Sequence, residues 1–230
     1  MSFKSFILKS LNKIFSIYNY SLIKNKQRFQ VYEYKNYEEY KKIQIETNHR
    51  KLDRVFADDK TLNLIIDEIK NNFKSQKFLG ICHGTRNGYE QEFFINNLDC
   101  EVIGTEISDN ADQFKNTIMW DFHDIKEEWV GKFNFLYSNS LDQSYKPFEA
   151  LDVWFDQLAQ NGIMIIEHND TDFESSITDP FATDQYYFSY LLSKKFSFRA
   201  SIKIIEHEKP QKKKSGEKIM SWLFFIKKIK

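Results

Sequence analysis

The sequence predicts an α/β fold, with a mostly parallel sheet, helices on both of its faces and an antiparallel β-hairpin at the C-terminus. First, the apolar run from Phe78 to Cys82 leads into a loop with glycines and then a helix start, an order typical of ligand-binding turns in such folds. Second, strand and helix patterns alternate from residue 77 onward. Third, residues 195–206 and 218–228 have strand patterns on either side of a basic loop.

The chain divides into a predicted helical extension, residues 1–58, and a predicted domain that contains the sheet, residues 59–230. Residues 36–54 are interpreted either as a lid over the substrate or as a solvated helix at the sheet edge. Residues 169–184 are interpreted as a polar loop. The other predicted helices are 59–74 with Asp59 as N-cap, 88–98, 110–114, 147–159 with Asn161 and Gly162 as C-cap, and 185–195. The other predicted strands are 77–82, 101–106, 117–120, 133–138 and 163–167.

Charge and composition exclude some classes of function. The chain has 230 residues, with 33 basic and 33 acidic side chains and a formal net charge of +0. A general nucleic-acid-binding protein would normally have a basic excess, so no nucleic-acid partner is expected. Neither Cys82 nor Cys100 belongs to a C-x-x-C pair, and we expect reduced, buried thiols in a reducing compartment such as the cytoplasm.

The first 28 residues are basic, because six Lys and Arg side chains precede the first acid, Glu33. Apolar residues recur there at helical spacing, from Phe3 through Ile7 and Leu11. Lysines interrupt the apolar run, so it is too short for a transmembrane helix. Two interpretations stay open: peripheral contact with the inner face of a membrane through residues 1–28, or packing on the domain or on a second subunit, which the sequence favours.

Polar side chains follow several of the predicted strands, at the edge of the sheet where open α/β folds bind their ligands. Glu106 stands about two dozen residues after the glycine loop, where a carboxylate accepts hydrogen bonds from two ribose hydroxyls. An acid at this position disfavours a 2′-phosphate. Asp121 and Phe122 follow the third strand and suit an adenine, one through hydrogen bonding and the other through apolar contact.

The order of these segments resembles that of the class I S-adenosylmethionine-dependent methyltransferases over about residues 77–168, and more loosely over the terminal hairpin. The matching segments are Leu79–Arg86, Val102–Ser108, Trp120–Phe122, Phe133–Asp142 and Leu158–His168. The resemblance implies a Rossmann-like methyltransferase sheet, S-adenosylmethionine as cofactor and SN2 transfer of its methyl group. A fainter resemblance is to methyltransferases of surface-polysaccharide biosynthesis, which often carry an N-terminal extension.

The resemblance also implies which residues bind the cofactor. The family usually has an acid where Gly80 stands, a glycine where Cys82 stands and another glycine at the position of Arg86. Arg86 is therefore interpreted either as a partner of the methionine carboxylate or as a surface arginine at a helix start. The predicted cofactor-binding residues are Gly80, Cys82, Gly84, Arg86, Glu106, Ile107, Asp121, Phe122 and Asn139.

The expected reaction is methyl transfer to a hydroxyl of a small-molecule or glycan acceptor. A hydroxyl acceptor benefits from a general base, and His168, His123 and Asp142 are the candidates, each with a structural role as the alternative. No compact ligand spacing supports a metal site. The basic loop at 209–218 is interpreted as a solvated hairpin tip, or as a contact to a phosphate-bearing glycan or an anionic membrane.

Two other functions compete with methyl transfer. A nucleotide-dependent oxidoreductase would suit the glycine loop and Glu106, but no Tyr-x-x-x-Lys pair follows in the usual context, and the terminal hairpin does not fit. A non-catalytic methyltransferase-like binding protein would explain why Gly80 and Cys82 depart from the motif.

Liposome flotation of the full chain beside a truncation that lacks residues 1–28 tests the N-terminal interpretation. Packing on protein predicts equal recovery of both in the lipid fraction, whereas membrane contact predicts that only the full chain is enriched there.

Overall fold

The computed structural model describes residues 28–73, 78–213 and 215–229. The basic N-terminal residues 1–28 therefore lie outside the described residues, except for Arg28. The described part contains five α-helices and nine β-strands. The helices are α1 (Tyr37–Arg50), α2 (Asp59–Asn72), α3 (Tyr89–Asn97), α4 (Pro147–Gln157) and α5 (Gln185–Lys195). The strands are β1 (Phe29–Val31), β2 (Phe78–His83), β3 (Cys100–Glu106), β4 (Thr117–Met119), β5 (Phe133–Ser138), β6 (Leu158–Asn169), β7 (Phe181–Thr183), β8 (Ala200–Lys212) and β9 (Lys218–Lys228).

Seven of these strands form the central sheet, in the order β4-β3-β2-β5-β6-β9-β8. The strands from β4 to β6 are parallel to one another, whereas β9 runs antiparallel to both of its neighbours, β6 and β8. The prediction of a mostly parallel sheet closed by a C-terminal hairpin is therefore confirmed. From β2 the chain builds the sheet first in one direction, through β3 and β4, and then in the other, through β5 and β6. The carboxyl ends of β2 and β5 therefore flank the switch point, where α/β sheets bind ligands.

Successive side chains of the central strands point to opposite faces, and each face has its own apolar core. In β6, Ile163 and Ile165 belong to the core under α2 and α3, whereas Met164 and Ile166 belong to the core under α4 and α5. Trp154 of α4 is fully buried in this second core. Burial on both faces explains why the sequence of β6 reads as a continuous apolar run. Among the described helices, none is long and apolar enough to cross a membrane.

A second, two-stranded sheet attaches the N-terminal segment to the domain. Strand β1 pairs antiparallel with β7, which lies inside the stretch 169–184 that the sequence predicts to be a polar loop. That prediction is wrong for three residues, because so short a strand is defined by its partner rather than by a local pattern. Arg28 adds an ion pair to Asp184, 156 positions away, with 2.9 Å between Nε and Oδ2.

Two helix ends differ from the sequence prediction. The N-cap of α2 is Asp58 rather than Asp59, and its side chain accepts a hydrogen bond from the backbone N–H of Thr61 at 2.9 Å. Helix α4 ends at Gln157, so the predicted C-cap at Asn161 and Gly162 is wrong. Asn161 does adopt a left-handed conformation, with φ of 63°, but within β6 where the pairing with β5 is irregular. The Asn-Gly pair signals a positive φ, which a β-bulge needs as much as a helix end does.

Gly80 provides a test of the packing between β2 and β5. A Cβ at this position would lie 2.2 Å from Cζ of Phe135. We expect Gly80→Ala to lower the free energy of unfolding by about 1–3 kcal/mol, as overpacking does in other cores, measured by urea denaturation. The double variant with Phe135→Leu should lose less stability than the sum of the two single variants. Strict additivity would contradict this contact.

Candidate functional site

Two adjoining cavities lie at the carboxyl ends of the central strands, and Gly84 and Arg86 line both of them. The larger cavity has a volume of about 670 Å³ and extends from the loop after β2 to the β8–β9 hairpin. The smaller cavity, about 20 Å³, lies between Glu106 and helix α1. Their position beside the switch point of the sheet makes them the candidate site.

The loop between β2 and α3 forms the wall that the cavities share. Gly84 has φ of +72°, and a Cβ there would lie 2.6 Å from Cβ of Ser140. The N–H groups of Gly84 and Thr85 both donate to the carbonyl of Thr105, at 2.9 and 3.1 Å, which ties the loop to β3. Arg86 also has a positive φ, 45°. Glycine at position 84 thus permits the close approach of the loop to the end of β5.

Glu106 ends β3 and is 7% exposed on the wall of the smaller cavity. Its Oε2 accepts from the N–H of Arg86 at 3.0 Å, and its Oε1 accepts from the N–H of Ser108 at 3.1 Å. Burial raises the pKa of Glu106, although these two hydrogen bonds act in the opposite direction. The carboxylate is consequently held at the edge of the glycine loop, next to Ile107.

Asp121 and Phe122 also line the smaller cavity. Asp121 Oδ1 accepts from the N–H of His123 at 2.9 Å and lies 2.6 Å from its Nδ1, while Oδ2 accepts from the Tyr37 hydroxyl at 2.8 Å. Burial alone would raise the pKa of Asp121, but the contacts with His123 outweigh it and the pKa is lowered. Asp121 is therefore an anionic acceptor in this cavity.

Helix α1 covers the smaller cavity, and four of its side chains line it. Tyr40 packs against Tyr145 with 4.4 Å between ring centroids, and Asn48 accepts from the side-chain amide of Asn110 at 3.0 Å. The remaining space, about 20 Å³, suffices for about one water molecule. The structure thus places the segment that the sequence suggested as a lid directly over Glu106. The four side chains are Tyr40, Gln44, Thr47 and Asn48.

The structure brings seven of the nine predicted cofactor residues to these cavities. Six of them, all except Asn139, line the smaller one, and Asn139 lines the larger one. Gly80 and Cys82 line neither cavity. Gly80 lies in β2 opposite the ring of Phe135, and Cys82 is fully buried in the apolar core, where burial raises the pKa of its thiol well above the usual range.

Of the three candidate bases, two are engaged elsewhere in the protein. His168 lies between Phe188 and Phe224, with Nε2 at 3.1 Å from the carbonyl of Thr183, and it lines neither cavity. Burial lowers the pKa of His168. His123 has both ring nitrogens in contact with protein groups, Nδ1 with Asp121 and Nε2 with Ser144 Oγ at 2.7 Å. His168 therefore lies away from both cavities, and His123 has no free ring nitrogen to offer a substrate.

Asp142 is the candidate base that faces the larger cavity. Its Oδ1 is buried and has no hydrogen-bond partner among the described residues. Burial, followed by repulsion from Asp172 and Asp179, raises the pKa of Asp142 well above the usual range of an aspartate. A carboxyl group with a raised pKa beside a cavity is suited to accept a proton.

A buried ion network beneath the larger cavity was not anticipated from the sequence. Lys209 is 6% exposed, and its Nζ contacts Glu167 Oε1, Asp58 Oδ2 at 3.4 Å and the carbonyl of Phe56 at 3.2 Å. Tyr137 donates to Glu167 Oε2 at 2.6 Å. The interpretation of residues 209–218 as a solvated tip is wrong at Lys209, because β8 continues to Lys212 and carries this side chain inward.

Glu90 is a second residue of the site that the sequence pattern did not predict. It lies in the first turn of α3, is 7% exposed and lines the larger cavity. Its Oε2 is buried and has no partner among the described residues. Burial raises the pKa of Glu90 to about 7, although Arg86 and Asn139 lower it. In the sequence, Glu90 is an acid in the first turn of a helix, and the helix dipole is by itself a sufficient reason for an acid at that position.

Three histidines, His83, His123 and His168, lie at or near the ends of strands of the central sheet. Over the described ranges, no group of three or more His, Cys, Asp or Glu side chains is arranged to hold a metal ion. His83 is buried with its ring nitrogens at 2.7 Å from Thr105 Oγ1 and 2.8 Å from Gln157 Oε1. Burial lowers the pKa of His83 to about 4, so this ring is neutral.

Solved structures share this architecture over most of the chain. The 1,6-didemethyltoxoflavin-N1-methyltransferase of Burkholderia thailandensis, with S-adenosylhomocysteine bound, matches with a TM-score of 0.62 at 10% identity, over 91% of this chain and 98% of that one. The chain has the class I methyltransferase fold. No protein-family model matches the sequence, and no curated protein matches it.

Other neighbours with the methyltransferase fold differ in activity. The plantazolicin methyltransferase BpumL, in complex with a triazolic desmethylPZN analog and S-adenosylhomocysteine, has a TM-score of 0.62 at 14% identity, over 83% of this chain and 96% of that one. The [4+2]-cyclase SpnF has a TM-score of 0.54 at 8% identity, over 72% of this chain and 80% of that one. At these identities the likeness shows the fold alone, and the activity has to be argued from the site.

The ion network of Lys209 can be tested by substitution. Lys209→Met would leave Glu167 and Asp58 buried without their cation, and we expect a loss of about 3–5 kcal/mol in the free energy of unfolding, measured by urea denaturation. Lys218→Met is the matched control, because Lys218 forms an exposed ion pair with Glu208 in the same hairpin. Equal effects of the two substitutions would show that the buried network is not a major source of stability.

Proposed function

We propose that this protein transfers a methyl group from S-adenosylmethionine to a small-molecule acceptor. The observation that carries the proposal is the convergence of six predicted cofactor residues on one cavity that adjoins a second cavity of about 670 Å³. The S-adenosylhomocysteine bound to neighbours of the same fold supports this choice of cofactor. The acceptor would occupy the larger cavity.

The chemistry of the residues fits the proposed cofactor. Glu106 offers a fixed carboxylate for two ribose hydroxyls, and Asp121 with Phe122 offers an anionic acceptor and an aromatic face for adenine. Arg86 lines both cavities and suits the methionine carboxylate, with Gly84 and Asn139 beside it. With only about 20 Å³ free beside Glu106, helix α1 would have to move outward for an adenosine to enter. In this proposal residues 1–58 are an extension that contains the lid.

The main contribution of the protein would be to align the acceptor's nucleophile with the methyl group of the cofactor. When bound, S-adenosylmethionine supplies an activated methyl group on a sulfonium, so that positioning of the nucleophile provides much of the acceleration. For the hydroxyl of a small molecule or a glycan, Asp142 is the one of the three predicted bases that lines this cavity, and its carboxylate would accept the proton. His168 and His123 would instead position the neighbouring strands and loops. The glycan acceptor and a place in surface-polysaccharide biosynthesis rest on the sequence resemblance alone.

A cytoplasmic location, with residues 1–28 in contact with the inner face of a membrane, is proposed on the sequence pattern. The described residues include only Arg28 of that segment.

Binding of Glu106→Ala tests the cofactor assignment. We expect the wild type to bind S-adenosylhomocysteine but not NAD in isothermal titration calorimetry. Glu106→Ala should weaken binding by about 1–3 kcal/mol, because the ribose hydroxyls lose their acceptor. Asp112→Asn, at an exposed acid in the same region of the chain, serves as control. Binding of NAD alone would favour an oxidoreductase, and binding of neither ligand would favour a non-catalytic protein.

A further inference from the structure

The larger cavity reaches well beyond the residues proposed to hold the cofactor. Its far side is formed by the loop between β6 and β7 and by the β8–β9 hairpin, including Asp172, Asp179 and Gln211. Glu106 lines the smaller cavity and not this one, and the far side of the larger cavity would receive the methyl acceptor. The side chains here therefore indicate which acceptor chemistry the protein recognises.

Three carboxylates line the larger cavity and form what we call the acidic cluster: Asp142, Asp172 and Asp179. They are close enough for Asp172 and Asp179 to raise the pKa of Asp142, beyond the effect of burial. The nearest histidine, His168, lies with Nδ1 at 3.7 Å from Asp172 Oδ2, but burial lowers its pKa and favours the neutral ring. The ring therefore adds little positive charge to the acidic cluster.

Basic side chains also line the cavity and offset part of this negative charge; they are Lys51, Arg54, Arg86, Lys209 and Lys212. Lys209 is already bound by Glu167 and Asp58. Arg86 lies over the ring of Phe56, with its guanidinium carbon 4.8 Å from the ring centroid, and NH1 is 3.4 Å from the carbonyl of Arg54. Lys51 lowers the pKa of Asp142, but burial together with Asp172 and Asp179 outweighs it, and the pKa of Asp142 stays raised.

Glu90 provides an independent observation on the same cavity. More than nine-tenths of this residue is buried, and Oε2 has no hydrogen-bond donor among the described residues. A buried carboxylate oxygen without a donor is costly, and such groups usually have a partner in the functional state. Oε2 of Glu90 and Oδ1 of Asp142 are thus two carboxyl oxygens on the larger cavity that lack a hydrogen-bond donor among the described residues.

We propose that the methyl acceptor carries a protonated amine, which Glu90 and the acidic cluster bind. An ammonium group offers three hydrogen-bond donors and a positive charge, and so supplies the donors that Glu90 Oε2 and Asp142 Oδ1 lack. A metal ion would meet the same need, but the described part of the chain contains no ligand group arranged for one. The inference rests on the proposed function, because it assigns the larger cavity to the acceptor. Amino sugars are one class of acceptor that carries such a protonated amine.

Ligand-detected NMR on the protein saturated with S-adenosylhomocysteine tests this inference. The probes are matched pairs that differ in one group: ethanolamine with ethylene glycol, and glucosamine with glucose, below the pKa of the amines. We expect each amine to bind about tenfold or more tightly than its alcohol, as charged hydrogen bonds imply. Glu90→Gln should reduce this preference, and Glu92→Gln, an exposed acid on the same helix, should keep it. Asp179→Asn gives a second test, should Glu90→Gln fail to fold.

The possible failures are distinguishable. If the wild type does not bind S-adenosylhomocysteine, the proposed function is wrong. If it binds S-adenosylhomocysteine but no amine binds better than its alcohol, the proposed function stands and the amine inference is overturned. If the acid substitutions weaken S-adenosylhomocysteine but leave the amine preference unchanged, the carboxylates serve the cofactor and the inference is likewise overturned.

Discussion

The buried charge of Lys209 joins segments that are far apart in the sequence. Through Glu167 it links the hairpin to β6, through Asp58 to the start of α2, and Tyr137 extends the network to β5. Charges this deeply buried are tolerated only when each has its partner, so the segments must assemble together. The network also forms part of the wall of the larger cavity, and the shape of the candidate site therefore depends on it.

The neutral net charge of the chain conceals an uneven distribution. Carboxylates gather around the larger cavity at Glu90, Asp142 and Asp172, among basic side chains that offset part of their charge. Such like-charge groups in a cleft cost stability and persist where a ligand compensates them. The same region adjoins Arg86, which lines both cavities. The charge of Arg86 therefore acts on both cavities, and helix α1 covers the smaller one beside Glu106.

The glycines of the first motif differ in what they do. Gly84 needs its positive φ and its lack of a side chain, because the loop passes next to Ser140 at the end of β5. Gly80 has an ordinary strand position and makes room for the ring of Phe135. The departure from the usual motif at Gly80 and Cys82 therefore falls in the core of the sheet, away from the cavities. The spacing of the glycines in the sequence does not show which one shapes the loop beside the cavities and which one makes room in the core.

The sequence by itself determined the elements with strong local patterns. The buried strand β6, helix α2 and the loop at Gly84 follow from apolar periodicity and from glycine's backbone freedom, which act within a few residues. The tertiary structure decided what depends on distant partners: the short strand β7 has no pattern of its own, and Lys209 looks solvated until β8 carries it to Glu167. Likewise, only three-dimensional packing shows that His168 is held by Phe188 and Thr183, whereas Asp142 faces the cavity. Burial and pairing are properties of the assembled chain, and they decide which polar residues are available for chemistry.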